Sequence, residues 1–198
     1  MSHKSDFQPK IIGVLCNWSG YKAADLSGAF GLQYPSHIRL IRVMCSGRVD
    51  PSHVFSAFSC GADGVFIGAC PLGSCHYWNQ GNYAAVDMVQ LCKTVLEYLG
   101  IRGERLCMLW MKAGDGLGFA QSMRKMSTYI EQLGPLGKAE GISDLQLMTG
   151  LDQIMKRIPE IQKAKIRQLR HWRGHDFSES QHLSSRQKID HLLKNLFF

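Results

Sequence analysis

The chain has 198 residues, 45% of them hydrophobic and 20% charged, the balance of a globular domain with a smaller appendage and not of a disordered or fibrous chain. No run approaches the roughly 18 apolar residues of a membrane span, and the opening Met1-Ser-His-Lys-Ser-Asp-Phe-Gln-Pro9 lacks the apolar centre of a secretory signal, so a cytoplasmic protein is expected. The formal charge of +7 is lopsided: residues 151–198 carry +5 and the first 150 only +2, which, with no nucleic-acid motif present, reads as the solvated face of a partner-binding helix and not as a nucleic-acid surface.

Residues 11–15, Ile-Ile-Gly-Val-Leu, form a continuous apolar run, as expected of a strand covered on both faces. A polar, glycine-containing turn leads from it into a short helix over 21–30. A second strand is predicted over 38–44. Pro51, after Asp50, starts a helix that continues through 53–59 until Gly61 ends it. The third strand, 64–69, is followed by a long loop from Cys70 to Asn82. In the helix beyond, Val86, Val89, Cys92, Leu96 and Leu99 recur at helical spacing, and Gly100 closes it. Residues 106–111 predict a fourth strand and 119–133 a helix that stops before Gly134-Pro135. Strands alternating with helices imply right-handed crossovers, hence an α/β fold: a mainly parallel open sheet of about four strands with helices on both faces.

From residue 138 onward the pattern is helical only, an all-helical C-terminal extension. One helix is expected over 151–158, broken before Pro159, and a basic amphipathic one over 160–172. A last helix is expected with Ile189, Leu192, Leu193, Leu196 and Phe197 on one stripe and Ser184 or Ser185 as its N-cap, after a flexible linker over 174–181.

Four cysteines lie where predicted strands run out: Cys16 after the first, Cys45 after the second, Cys70 with Cys75 after the third. The carboxyl ends of strands in an open parallel sheet form one rim, the usual ligand crevice of such folds, so thiols distant in sequence are expected to converge there. Soft thiolate ligands select iron-sulfur clusters or zinc. Seven cysteines, an odd number, favour metal or redox chemistry over a disulfide framework in a cytoplasmic chain. Structural zinc sites use Cys-x-x-Cys pairs, and this chain has none, which tilts the expectation toward a cluster. A zinc-binding structural or regulatory module and a metal-free thiol redox protein remain the alternatives. Cys60, Cys92 and Cys107 read as small buried hydrophobes. The segments Ser46-Gly-Arg48 and Gly73-Ser74 are expected to aim backbone amides at the site, with Arg48 favouring its reduced form. His76 reads as a hydrogen-bonding loop histidine, and Trp18, Tyr77 and Trp78 as cover or interface. Gly114-Asp-Gly-Leu-Gly118 suggests a phosphate loop, but Phe119 stands where a dinucleotide fingerprint needs glycine.

The loops themselves carry a resemblance. Cys16-Asn-Trp-Ser-Gly-Tyr21, Leu32-Gln-Tyr-Pro35, Arg42-Val-Met-Cys-Ser-Gly-Arg-Val-Asp50, Gly61-Ala-Asp-Gly-Val65, Cys70-Pro-Leu-Gly-Ser-Cys-His-Tyr77 and Gly81-Asn-Tyr83 resemble the delta subunit of methyl-viologen-reducing hydrogenase. Leu109-Trp110, Phe119-Ala120 and Leu133-Gly-Pro135 extend the likeness. The resemblance implies an iron-sulfur electron-transfer domain over residues 9–137, with 138–198 as a basic helical extension suited to partner docking. It further implies a 2Fe-2S cluster on Cys16, Cys45, Cys70 and Cys75 and no catalysis by the chain alone. In the hetero-oligomeric complex it implies, single electrons pass from a hydrogenase, formate dehydrogenase or similar donor to the flavin-bearing A-type component of heterodisulfide reductase. Where the family commonly reads Cys-Asn-Trp-Cys, this chain has Ser19. Ser19 is read as replacing a spare thiol, the competing readings being an alkoxide ligand or a lost cluster.

Overall fold

The computed structural model describes residues 7–78 and 80–171. The two least polar strands take the centre of the sheet. β1 (Ile11–Cys16) and β3 (Gly64–Ala69) are buried along almost their whole length, as strands with helices on both faces must be. β2 (Ile38–Val43), in which Arg39 and Arg42 are exposed, forms one edge, and β4 (Leu106–Trp110) the other. The order is β2-β1-β3-β4, all parallel, with Ile11 paired to Ile38 on one side and Gly64 on the other.

Strand alternation sends Ile11, Leu15 and Phe66 to one face and Val14, Val65 and Ile67 to the other. α1 (Gly20–Ala29) and α4 (Gly116–Leu133) pack together over the first set, adding Phe119, Met123 and Ile130. α2 (Pro51–Ser59) and α3 (Gly81–Tyr98) cover the second with Phe55, Phe58 and Leu96. Each fully buried large side chain of this kind contributes about 1.5–3 kcal/mol. The expected doubly wound α/β arrangement is therefore the observed one.

α5 (Asp144–His171) departs from expectation: it is one helix, with Pro159 inside it. An interior proline costs about 3 kcal/mol. Leu151, Ile154, Ile158 and Ile161 nevertheless fall on one buried stripe against α2, and at about 1.5–3 kcal/mol each their burial outweighs the lost hydrogen bond. Met155 contacts Ser56, and the Gln162 amide donates to the Asp50 carboxylate at the N-terminus of α2. The helix thus climbs the outside of α2 to the level of the strands' carboxyl ends. The end of the basic helix at Trp172, the linker and the last helix lie outside the described residues.

At the opposite end the sheet is closed by Arg105, which is 0% exposed. All five guanidinium donors are engaged: two on Glu140, at 2.6 and 3.1 Å, and three on the carbonyls of Asp63, Gly134 and Pro135 at 2.9–3.3 Å. The Asp63 carboxylate accepts from the amides of Lys10 and Leu136 at 2.8 and 2.9 Å. This network pins the segment after α4 beneath the strands. Among the described residues, no helix is long and apolar enough to cross a membrane.

Candidate metal centre

β1 and β3 are adjacent, yet their crossovers leave for opposite faces, α1 on one and α3 on the other. A crevice opens between their carboxyl ends, the switch point at which open α/β sheets bind ligands. Cys16 ends β1 and Cys70 follows β3. Both are buried, with their sulfurs 3.7 Å apart. Cys45, buried after β2, has Cys75 and Cys70 as its neighbouring thiols. The four predicted thiols therefore lie at this rim as two pairs, 16 beside 70 and 45 beside 75, with the charge of Cys70 also felt at Cys45. Among the described residues no three side chains are gathered as a single metal ion requires.

The other three cysteines lie elsewhere. Cys92 is buried on α3 with its sulfur 3.6 Å from that of Met88, and half-buried Cys107 donates to the Glu104 carbonyl at 3.2 Å. Cys60 differs from its reading as a buried hydrophobe: it is exposed, because it is the C-cap residue at which the chain turns off the end of α2.

Two of the thiols, Cys45 and Cys70, are pushed toward their protonated forms. Burial pushes Cys45 up, against the pull of the Gly47 amide. Burial likewise pushes Cys70 up, opposed by the Ser19 hydroxyl and the His76 amide and reinforced by Cys16. Ligation by such groups releases protons and removes the cost of burying them unpaired. Of the amides expected near the sulfurs, that of Gly47 is present. The contribution assigned to Gly73-Ser74 comes instead from His76, because Ser74 N–H is spent on the Pro71 carbonyl at 3.0 Å in a tight turn.

Backbone packing shapes the cradle. A side chain on Gly81, the first residue of α3, would collide with the Cys45 sulfur and lie 3.4 Å from that of Cys75. A side chain on Gly47 would meet the Gly81 carbonyl oxygen at 2.6 Å. The turn Ser46–Arg48 and the start of α3 can thus approach only as bare backbone. Asn82, fully buried, donates to the Pro71 carbonyl at 2.9 Å and the Cys70 carbonyl at 3.4 Å, tying the cysteine loop to α3. Hydrophobic periodicity gave no sign of this residue; a buried amide in the first helical turn is legible only once the loop is seen to fold over it.

The aromatic residues join two loops. Trp18 stacks on His76 at 3.6 Å between ring centres and donates to the Tyr77 hydroxyl at 3.2 Å. His76 is thus a stacking residue whose amide, not its ring, serves the thiols. Trp78 is 93% exposed and has a φ of 51°, the left-handed region that a bulky residue rarely adopts. Met44, Leu72, Tyr77, Trp110 and Leu117 are also exposed at this end of the sheet. The suggested phosphate loop is closed by its own residue, since Asp115 Oδ1 accepts from the Gly118 amide at 2.8 Å and caps α4. That carboxylate occupies the place an anion would need.

Ser19 is the N-cap of α1 but makes no side-chain capping bond. Its hydroxyl is buried and has no partner at hydrogen-bonding geometry, although it lies near enough to Cys70 to pull that thiol's pKa down.

A sequence profile of the methyl-viologen-reducing hydrogenase delta subunit matches residues 11–134. The chain is similar to the D-type iron-sulfur subunit of the F420-non-reducing hydrogenase of Archaeoglobus profundus, 42% identical over 130 residues that make up 66% of this chain and 94% of the relative. It is 45% identical, over 66% of this chain and 90% of the relative, to the corresponding D-type vhc iron-sulfur subunit of Methanococcus voltae. A third similarity, 36% over 155 residues, covers 78% of this chain but 19% of the A-type subunit of the ferredoxin:CoB-CoM heterodisulfide reductase of Methanosarcina mazei.

Proposed function

Since this chain belongs to the family of methyl-viologen-reducing hydrogenase delta subunits, we propose that it is a cytoplasmic electron-transfer subunit whose cofactor is a 2Fe-2S cluster held by Cys16, Cys45, Cys70 and Cys75. The observation that carries this reading is the placement of two thiol pairs, Cys16 with Cys70 and Cys45 with Cys75, at the switch-point crevice. Their grouping supports a two-centred cofactor over a single ion. One pair, Cys16 with Cys70, would hold one iron and the other, Cys45 with Cys75, the second. The cradle that excludes a Cβ at Gly81 supports the same fit. Such a cluster supplies one-electron chemistry. The chain's own residues bury the ligands, aim the Gly47 and His76 amides at two of the sulfurs and exclude water with the Trp18–His76 stack.

Partners follow from surface and kinship. The exposed apolar residues around the crevice, Trp78 foremost, suit a protein interface that shortens the distance for electron transfer. The Methanosarcina mazei relative joins a segment like this chain to a heterodisulfide reductase of the A type in one polypeptide, which supports an A-type flavoprotein as the acceptor. The D-type hydrogenase relatives support a hydrogenase as the donor, with formate dehydrogenase or a similar enzyme in the same role. In this reading residues 9–137 are the electron-transfer domain. The extension from 138 docks partners beyond the part of α5 that packs on α2, where residues 163–171 carry Lys163, Lys165, Arg167 and Arg170 with no acidic residue.

The test is anaerobic purification with iron and sulfide quantified and an electron paramagnetic resonance spectrum of the dithionite-reduced chain. Two irons per chain and a reduced-cluster signal are expected, lost in Cys45→Ala and Cys75→Ala and kept in Cys92→Ala. A colourless protein containing zinc refutes the proposal. A second reading, a metal-free dithiol switch, draws on the 3.7 Å between the Cys16 and Cys70 sulfurs. The upward push on Cys70 opposes it, because exchange needs accessible thiolate.

A further inference from the structure

We infer that the Ser19 hydroxyl donates a hydrogen bond to the Cys70 sulfur when that thiolate ligates the cluster, and so raises the cluster's potential without being a ligand. The inference rests on the cluster reading above. Serine at an N-cap ordinarily accepts from an amide two or three residues on. Ser19 does not: its φ of −132° and ψ of −73° leave it with no capping bond. The hydroxyl is instead buried, at 4% exposure for the residue, with no partner at hydrogen-bonding geometry. Nor is it placed by chance, since its amide reaches back at 3.4 Å to the carbonyl of Cys16, whose sulfur lies 3.7 Å from that of Cys70, and its hydroxyl pulls the Cys70 thiol's pKa down.

A buried unpaired hydroxyl is costly, and the cost is removed if an acceptor forms beside it. Cys70 becomes that acceptor on losing its proton to bind metal, because a thiolate accepts where a thiol is a weak partner. Ligation by Ser19 itself would require an alkoxide, whereas the four thiols already complete a cluster's ligand set. A donor to a ligand sulfur stabilises the more negative, reduced cluster, so the potential rises.

The experiment uses the full chain with its cluster in wild-type, Ser19→Ala and Ser19→Thr forms, titrated electrochemically and examined by resonance Raman spectroscopy in H2O and D2O. Ser19→Ala is expected to keep its iron and its cluster type but to shift the reduction equilibrium about tenfold toward the oxidised state, about 59 mV lower for one electron. Ser19→Thr, which retains the hydroxyl, is expected to restore the wild-type value. A deuterium shift of the iron–sulfur stretch is expected in wild type and Ser19→Thr and absent in Ser19→Ala. An unchanged potential in Ser19→Ala, or no deuterium shift in wild type, overturns the inference and leaves the cluster reading standing. Loss of iron or a changed signal type in Ser19→Ala overturns it in favour of an alkoxide ligand. A wild-type chain that binds no iron overturns both.

Discussion

Substituting alanine at Gly81 sets two physical effects against each other at the centre of the proposed site. By helix preference alone, glycine to alanine gains about 0.5–1 kcal/mol. At Gly81 the added methyl would occupy the position of the Cys45 sulfur and crowd that of Cys75 at 3.4 Å. Non-bonded heavy atoms need roughly 3.5–4.0 Å, so the Cys45 sulfur must retreat by roughly 1.5 Å. Overpacking of this kind costs about 1–3 kcal/mol, leaving a net destabilisation of roughly 0–2.5 kcal/mol. The chain should still fold, but a thiolate–metal site tolerates only about 0.2 Å of error, so iron binding should fail. The control is Gly28→Ala in α1, where a methyl meets nothing within 4 Å and should stabilise by about 0.4–1 kcal/mol. Iron per chain, the reduced-state spectrum and the urea midpoint are measured for both variants. A Gly81→Ala chain with full iron and an unaltered spectrum would refute the placement of Cys45 as a ligand against α3.

Three further outcomes are expected. Arg105→Met should cost about 3–5 kcal/mol by stranding Glu140, which is 2% exposed, whereas Arg105→Met with Glu140→Leu should recover much of the loss; chemical unfolding of both checks this, with iron content unchanged throughout. Asn82→Ala leaves the Cys70 and Pro71 carbonyls without their donor, and a loss of about 1–3 kcal/mol with faster release of iron to a chelator is expected. In the iron-free chain, burial holds Cys45, Cys70 and Cys107 above the ordinary thiol value. The folded state keeps these protons longer than the unfolded one, so stability is full below about pH 8.5 and falls as pH rises through the elevated values. Urea midpoints at pH 7 and pH 9.5 test this, and a higher midpoint at pH 9.5 contradicts it.

The sheet was legible because its central strands are uninterrupted apolar runs and its helices begin and end at recognisable residues such as Asp50-Pro51 and Gly61. The start of α4 was read three residues late, since Asp115 caps it and Gly116 and Gly118 are poor helix formers. Pro159 argued locally for a break that the stripe from Leu151 to Ile161 overrides through burial on α2, a contact no local rule contains. The placement of the four cysteines along the carboxyl rim of the sheet followed from topology alone. Which thiol neighbours which did not, because it depends on where the loops after β2 and β3 fold relative to Gly81 and Asn82. The Arg105–Glu140 pair, 35 residues apart, had no sequence signature for the same reason.

The two ends of the sheet are fastened by different means. Beneath the strands, a guanidinium and two carboxylates supplied by the polypeptide itself close the structure as soon as it folds. At the top, on the proposed reading, closure would wait on an inorganic guest. A small zinc domain has no shape before its ion arrives, but here the lower clasp and the apolar layers make a frame whose contacts do not involve the proposed ligands. If the proposed cluster is correct, its loading would then be a late event that leaves the rest of the architecture undisturbed.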